Sequence, residues 1–162
     1  MLEHLSNPEY LHVLLNPLPV YGLGVGAFGL VIALISRSRA ARVTALALVL
    51  ISSLSAWPVY HYGEEAYNRV LSVVDRDGLK WLDEHQRRGE QLIYLFYAVA
   101  ALAGVAIGAE FKFRRAAVPL GVATLVLATV DFGIGSYIAY AGGRIRHKEF
   151  RYDPPPATQQ NS

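Results

Sequence analysis

Long apolar runs alternate with short charged connections along this chain, and no segment shows the two-residue alternation of a half-exposed strand. Stretches free of formal charge cover residues 11–36, 43–63, 91–109 and 116–143, each 19 to 28 residues long. At ~1.5 Å rise per residue, each run gives a helix about long enough to cross a ~30 Å hydrocarbon layer. A backbone in lipid must satisfy its own hydrogen bonds, and these runs are too long and too uniformly apolar for barrel strands. The pattern therefore predicts an all-α integral membrane protein with one antiparallel four-helix bundle over residues 1–152. A disordered tail is expected over 153–162, which opens on Pro154, Pro155 and Pro156 and continues with polar residues.

Four antiparallel spans put both termini and the connection 64–90 on one side, and the loops 37–42 and 110–115 on the other. The two short loops hold Arg37, Arg39, Arg42, Lys112, Arg114 and Arg115. A raw count of basic residues favours the opposite side, which is longer, but the flanks of the first run decide the reading. Residues 1–10 carry no Lys or Arg and the trailing flank carries three, so the termini are expected outside the membrane. The same basic-free opening argues against a cleavable signal peptide. Tyr10, Trp57, Tyr60, Tyr62, Trp81, Tyr94, Tyr97, Tyr137 and Tyr140 all fall toward the side of the termini.

Small residues predict where helices meet. Gly22, Gly26, Gly29 and Ala33 share one face of the first run, and Ala101, Gly104 and Gly108 repeat the device in the third. These faces would pack within the bundle, against a second copy in a homodimer, or against other membrane subunits. Gly24, Gly26 and Gly29 also spell part of a dinucleotide fingerprint, but no strand precedes them, and helix packing is the preferred reading. Pro17, Pro19, Pro58 and Pro119 lie near the run ends, where lost backbone bonds are more easily replaced.

Composition narrows the chemistry. The chain is 53% apolar and 17% charged with a net charge of +2, so the lipid bilayer is its surroundings and nucleic acid is not an expected partner. Without cysteine, any metal or haem must be held by His, Asp, Glu, Met or Tyr. Asp131 is the single acid inside a run, on a stripe with Gly121, Thr124, Ala128, Gly135, Ala139 and Gly142, at a depth similar to Ser52, Ser53 and Ser55. It reads either as a proton or ion site or as a protonated acid bonded to a serine hydroxyl. His12, His61, His85 and His147 all fall at the side of the termini, with Glu64 and Glu149 among the acids nearby. Two chemistries fit: bis-histidine ligation of a b-type haem, with His85 and His147 as the first pair, or a metal held by His85, His147, Glu64 and Glu149. A bland alternative is that His and Glu are simply common at a polar interface.

Tyr62-Gly63-Glu64, His85, and above all the run Gly142-Gly143-Arg144-Ile145-Arg146-His147-Lys148-Glu149-Phe150-Arg151 resemble the bacterial four-span membrane proteins grouped as the domain of unknown function DUF2231. The resemblance covers nearly the whole chain except the tail. Relatives often carry a histidine where Pro17 stands here, and a Glu where Gln86 follows His85. The family brings no activity with it, and its layout is similar to that of diheme membrane cytochromes by fold-level analogy only. It implies a multi-pass protein of the bacterial inner membrane. The expected role is a redox-linked, electron-transferring or ligand-binding component with haem or a transition metal. The competing expectation is a non-catalytic accessory subunit of a larger membrane complex. No catalytic residue set is recognised, so an enzymatic role is not the favoured one.

Overall fold

The computed structural model describes residues 6–156. Those residues form α1 (Pro8–Leu15), α2 (Leu23–Ile35), α3 (Arg39–Leu54), α4 (Ala56–Leu71), α5 (Arg76–Lys112) and α6 (Arg114–Arg146), with a π-helical turn at Leu18–Gly22 and a short 3-10 turn at Lys148–Phe150. Taken through their local breaks, they are four helices long and apolar enough to cross a membrane, Pro8–Ile35, Arg39–Leu71, Arg76–Lys112 and Arg114–Arg146. The four-helix, all-α expectation is met, and no strand occurs among the described residues. Residues 1–5, and 157–162 of the expected tail, lie outside the described residues.

Two breaks follow from proline. Pro19 has no N–H to donate, and its ring crowds the carbonyl one turn earlier, so Leu18–Gly22 widens into a π-turn between α1 and α2. Pro58 acts in the same way on the α3/α4 junction at Ser55. The expected 27-residue connection 64–90 is mostly helix instead. Helix α4 runs on to Leu71 and α5 begins at Arg76, where the Asp75 carboxylate caps the helix by accepting from the Gly78 N–H at 2.7 Å. Ala66, Trp81 and Leu82 are buried where these extensions pack, a pattern too sparse to mark a helix in the sequence.

The bundle closes as a ring: α2 packs on α3, α3 on α5, α5 on α6, and α6 back on α2, with α1 lying on α4. Its interior is built from small side chains, with Ala33, Ala103, Ala106 and Ala128 fully buried beside Leu23, Leu30, Leu46 and Val49. Val25, Phe28, Ile32, Ile51, Val105, Val126 and Val130 point outward and stay exposed. That inside-out distribution is the one helices adopt when lipid, not water, surrounds them. The stripe of the first run packs as expected: a Cβ on Gly22, the last residue of the π-turn, would collide with the Ser52 hydroxyl, and one on Gly26 of α2 would sit 2.9 Å from Val49 Cγ2. Only glycine allows α2 and α3 to come this close.

On α5 the expected small-residue face is not the one that packs within the bundle. Ala101, Gly104 and Gly108 are exposed, and nothing lies within 4 Å of a Cβ built on either glycine. Val99, Ala100, Ala103, Ala106 and Ala109 face the bundle instead. Both sets have helical spacing and similar size, so periodicity alone did not choose between them. The choice follows Glu110, which is 1% exposed and must face a partner. That partner is Arg42, whose Nε and Nη2 donate to Oε1 and Oε2 at 2.6 and 3.0 Å. The arginine thereby joins α3 to α5 at the end of the bundle away from the histidines.

Candidate functional site

At the other end, α1, α4, α5 and α6 enclose a cavity of about 290 Å³. Its walls are small or apolar, including Val13, Pro19, Ala56, Val59, Ile93, Phe96 and Ile138, and the glycines Gly63, Gly89, Gly135 and Gly142. Glu9, Glu64 and Arg146 stand along the same walls. The volume is at the lower end of the range for small-ligand sites.

Two imidazoles line this space in matching settings. His12 Nδ1 is 2.8 Å from the carbonyl of Val59, and His85 Nδ1 is 2.9 Å from the carbonyl of Ile138. A carbonyl only accepts, so each Nδ1 carries the hydrogen and each Nε2 keeps its lone pair while the ring is neutral. Four residues beyond each carbonyl stands a glycine on which the ring packs. A Cβ on Gly63 would lie 2.9 Å from His12 Nδ1, and one on Gly142 would lie 3.0 Å from His85 Cε1. The rings meet edge to face with centroids 5.9 Å apart.

His85 lies beside His12 and not beside His147, its expected partner. Helix α6 ends at Arg146, and the chain then turns, so the His147 imidazole bonds Glu149 at 2.9 Å and lies against Phe150. His147 lines the cavity, but both it and Glu149 are exposed. Glu149 is held below the ordinary carboxylate range by a backbone N–H bond, its own, and then by His147. His61 is turned to the surface, stacked on Trp57 and 3.4 Å from Glu65, and is not part of the cavity wall. Glu64 is on that wall and accepts from the Tyr60 hydroxyl at 2.8 Å. The expected His and carboxylate metal set does not assemble: among the described residues, no three His, Asp or Glu side chains gather as a metal site.

Charged groups brace the same end. Glu84 accepts from Arg87 and Arg88, and Arg88 also donates to the Tyr137 carbonyl and lies over the Tyr137 ring at 3.6 Å. Glu9 pairs with both Arg69 and Arg146. Arg151 donates to the carbonyls of Arg144 and Ile145 and to both oxygens of Asp75, which fastens the segment after α6 over the start of α5. These bonds hold Asp75 well below the usual carboxylate range, the Arg151 guanidinium contributing most. Much of the run from Gly142 to Arg151 is accounted for by this fastening and by the His85 seat.

Midway along the bundle, Asp131 is 1% exposed and Ser53 is fully buried. Among the described residues, neither Asp131 Oδ2 nor Ser53 Oγ has a hydrogen-bond partner. Ser52 is buried against Gly22, and Ser55 Oγ donates to the Ser52 carbonyl. The sequence reading missed Arg42 and Glu110 as a buried pair. The signal was present: the two residues directly flank the second and third runs at the same end, with opposite charge. Comparison of the chain with family models, curated proteins and solved structures gives no match.

Proposed function

We propose that this protein is a multi-pass membrane component that binds a b-type haem between His12 and His85. The observation that carries this reading is the paired setting of the two imidazoles, each fixed through Nδ1 and seated on a glycine, 5.9 Å apart in one cavity. His12 and His85 would hold the haem iron through their free Nε2 atoms. Zinc would need two further ligands, and among the described residues no third His, Asp or Glu gathers with them. A haem would need only His12 and His85 from the protein.

When bound, that group would supply one-electron chemistry. The protein's own contribution is to fix the imidazole tautomers through the Val59 and Ile138 carbonyls, to surround the site with apolar walls, and to offer Arg146 as a cation for an acidic substituent. The reading places the termini and the histidine end outside the bacterial inner membrane, in line with the basic loops at the Arg42 end. Cysteines introduced at Ser72 and Ser162 should then react with a membrane-impermeant reagent in intact cells, and labelling at Ser38 instead would reverse the orientation.

Absorption spectra test the ligand. Protein expressed with ample haem should show a Soret band that shifts on reduction. His12→Ala and His85→Ala should each abolish it, whereas His61→Ala should keep it. Colourless wild-type protein overturns the haem reading. A second reading, an accessory subunit or homodimer, is supported by the exposed small-residue face at Ala101, Gly104 and Gly108, which none of the described residues covers.

A further inference from the structure

The cavity has a floor, and a polar layer lies directly beneath it. The wall residues farthest from the histidine end are Val20, Ala56 on α4, Phe96 on α5 and Gly135 on α6. One turn further in stand Asp131, four residues before Gly135, and Ser53, three before Ala56. Their neighbours one turn deeper, Ala128 and Val49, belong to the same buried cluster as Ala56 and Phe96 of the cavity wall. Among the described residues, Asp131 Oδ2 and Ser53 Oγ each have no hydrogen-bond partner, so the two groups do not bond each other in this structure. Unsatisfied groups at this depth cost more than any others in a membrane helix, and apolar residues would fill the space without that cost.

We propose that Asp131 is a proton-binding site reached through the histidine-end cavity, with the Ser53 hydroxyl as the candidate acceptor once the carboxyl carries the proton. The chemistry of the surroundings selects a proton over a metal cation. Helix α2 contributes no ionisable group over Leu23–Ile35, and α5 contributes only the phenols Tyr94 and Tyr97 between Glu90 and Glu110. On α6, Tyr137 and Tyr140 are the nearest titratable groups, and Arg144 lies beyond them at the histidine end. Arg42 of α3 is committed to Glu110 at the opposite end, and His12 and His85 are across the cavity. One carboxylate and one hydroxyl are far too few oxygens for calcium or magnesium. A proton removes the buried charge outright and turns the carboxyl into a donor for a hydroxyl oxygen. This assignment holds whatever ligand the imidazoles take.

Infrared spectra of the protein in lipid vesicles test it. Wild-type protein at neutral pH should show a carboxylic-acid C=O band that is missing in Asp131→Asn, moved in Asp131→Glu and shifted in Ser53→Ala. In D2O the band should move as the proton exchanges. That exchange should slow at least tenfold in Ala56→Leu, which fills the floor, and also in Gly135→Ala, whose Cβ would meet Val20 Cγ2 at 3.0 Å. It should be unchanged in Gly121→Ala, where the added Cβ makes only ordinary contact with Leu34 at 3.6 Å. A band unaffected by Asp131→Asn, an ionised Asp131 at neutral pH, or exchange slowed only from the Gly121 end overturns the proposal.

Discussion

His85 lies on Gly142, and its Nδ1 donates to the carbonyl of Ile138, the residue one turn before that glycine. The glycine is what lets an imidazole from α5 reach the backbone of α6. A methyl group there would sit 3.0 Å from His85 Cε1. Gly142→Ala should therefore push the ring off its carbonyl and cost about 1 to 3 kcal/mol, as overpacking of a closed site does. Gly143→Ala is the matched control. Nothing lies within 4 Å of its Cβ, and the gain in helix propensity should be up to about 1 kcal/mol. Unfolding of the two variants in mixed detergent separates the effects, and equal behaviour would mean that the ring is not seated as described.

Arg42 and Glu110 give a second expectation. Replacing Glu110 with Gln leaves a guanidinium buried with a weaker partner, and Arg42→Leu leaves a buried carboxylate with only the more exposed Arg39, 3.9 Å away. Breaking a pair of this kind costs roughly 3 to 5 kcal/mol, whereas removing both members is far cheaper. The double variant Arg42→Leu with Glu110→Leu should therefore recover most of the stability lost by Arg42→Leu alone. A double-mutant cycle showing simple additivity would contradict the two-point geometry.

The α2/α3 approach is equally specific. Gly26→Ala places a methyl 2.9 Å from Val49 Cγ2 and 3.1 Å from the Val49 nitrogen, and backbone cannot give way as a flexible side chain does. A loss of about 1 to 3 kcal/mol is expected. Gly104→Ala and Gly108→Ala should be neutral or stabilising in a monomer, and a clear loss in those two would place a partner helix against the exposed face of α5.

A further expectation concerns pH. Asp75 has its carboxyl pKa lowered in the folded protein by Arg151, so its ion pair supports folding fully above the ordinary carboxylate range. That support is lost as pH falls below about 4, through the depressed folded value. Asp75→Asn should reproduce the loss at neutral pH, because the amide still caps α5 through Gly78 but no longer pairs with Arg151. Faster amide exchange over residues 144–151, with the membrane spans unchanged, is the expected signature.

Charge-free length was enough, by itself, to determine four spanning helices, because lipid leaves the backbone no alternative to bonding itself within each segment. The stripe from Gly121 through Asp131 to Gly135 was legible for the same reason, since a single polar side chain on a face of small residues has only the bundle to turn to. Tertiary structure decided what depends on which faces meet. Val99, Ala103 and Ala106 could not be told from Ala101, Gly104 and Gly108 by size and spacing, and the buried Arg42–Glu110 contact selected between them. The partner of His85 was hidden likewise. His12 is distant from it in the chain, and only the packing of α1 on α4 and of α5 on α6 brings two glycine-seated imidazoles into one cavity. The chain carries the residue types of the site and their depth, but the pairing is a property of the packed bundle.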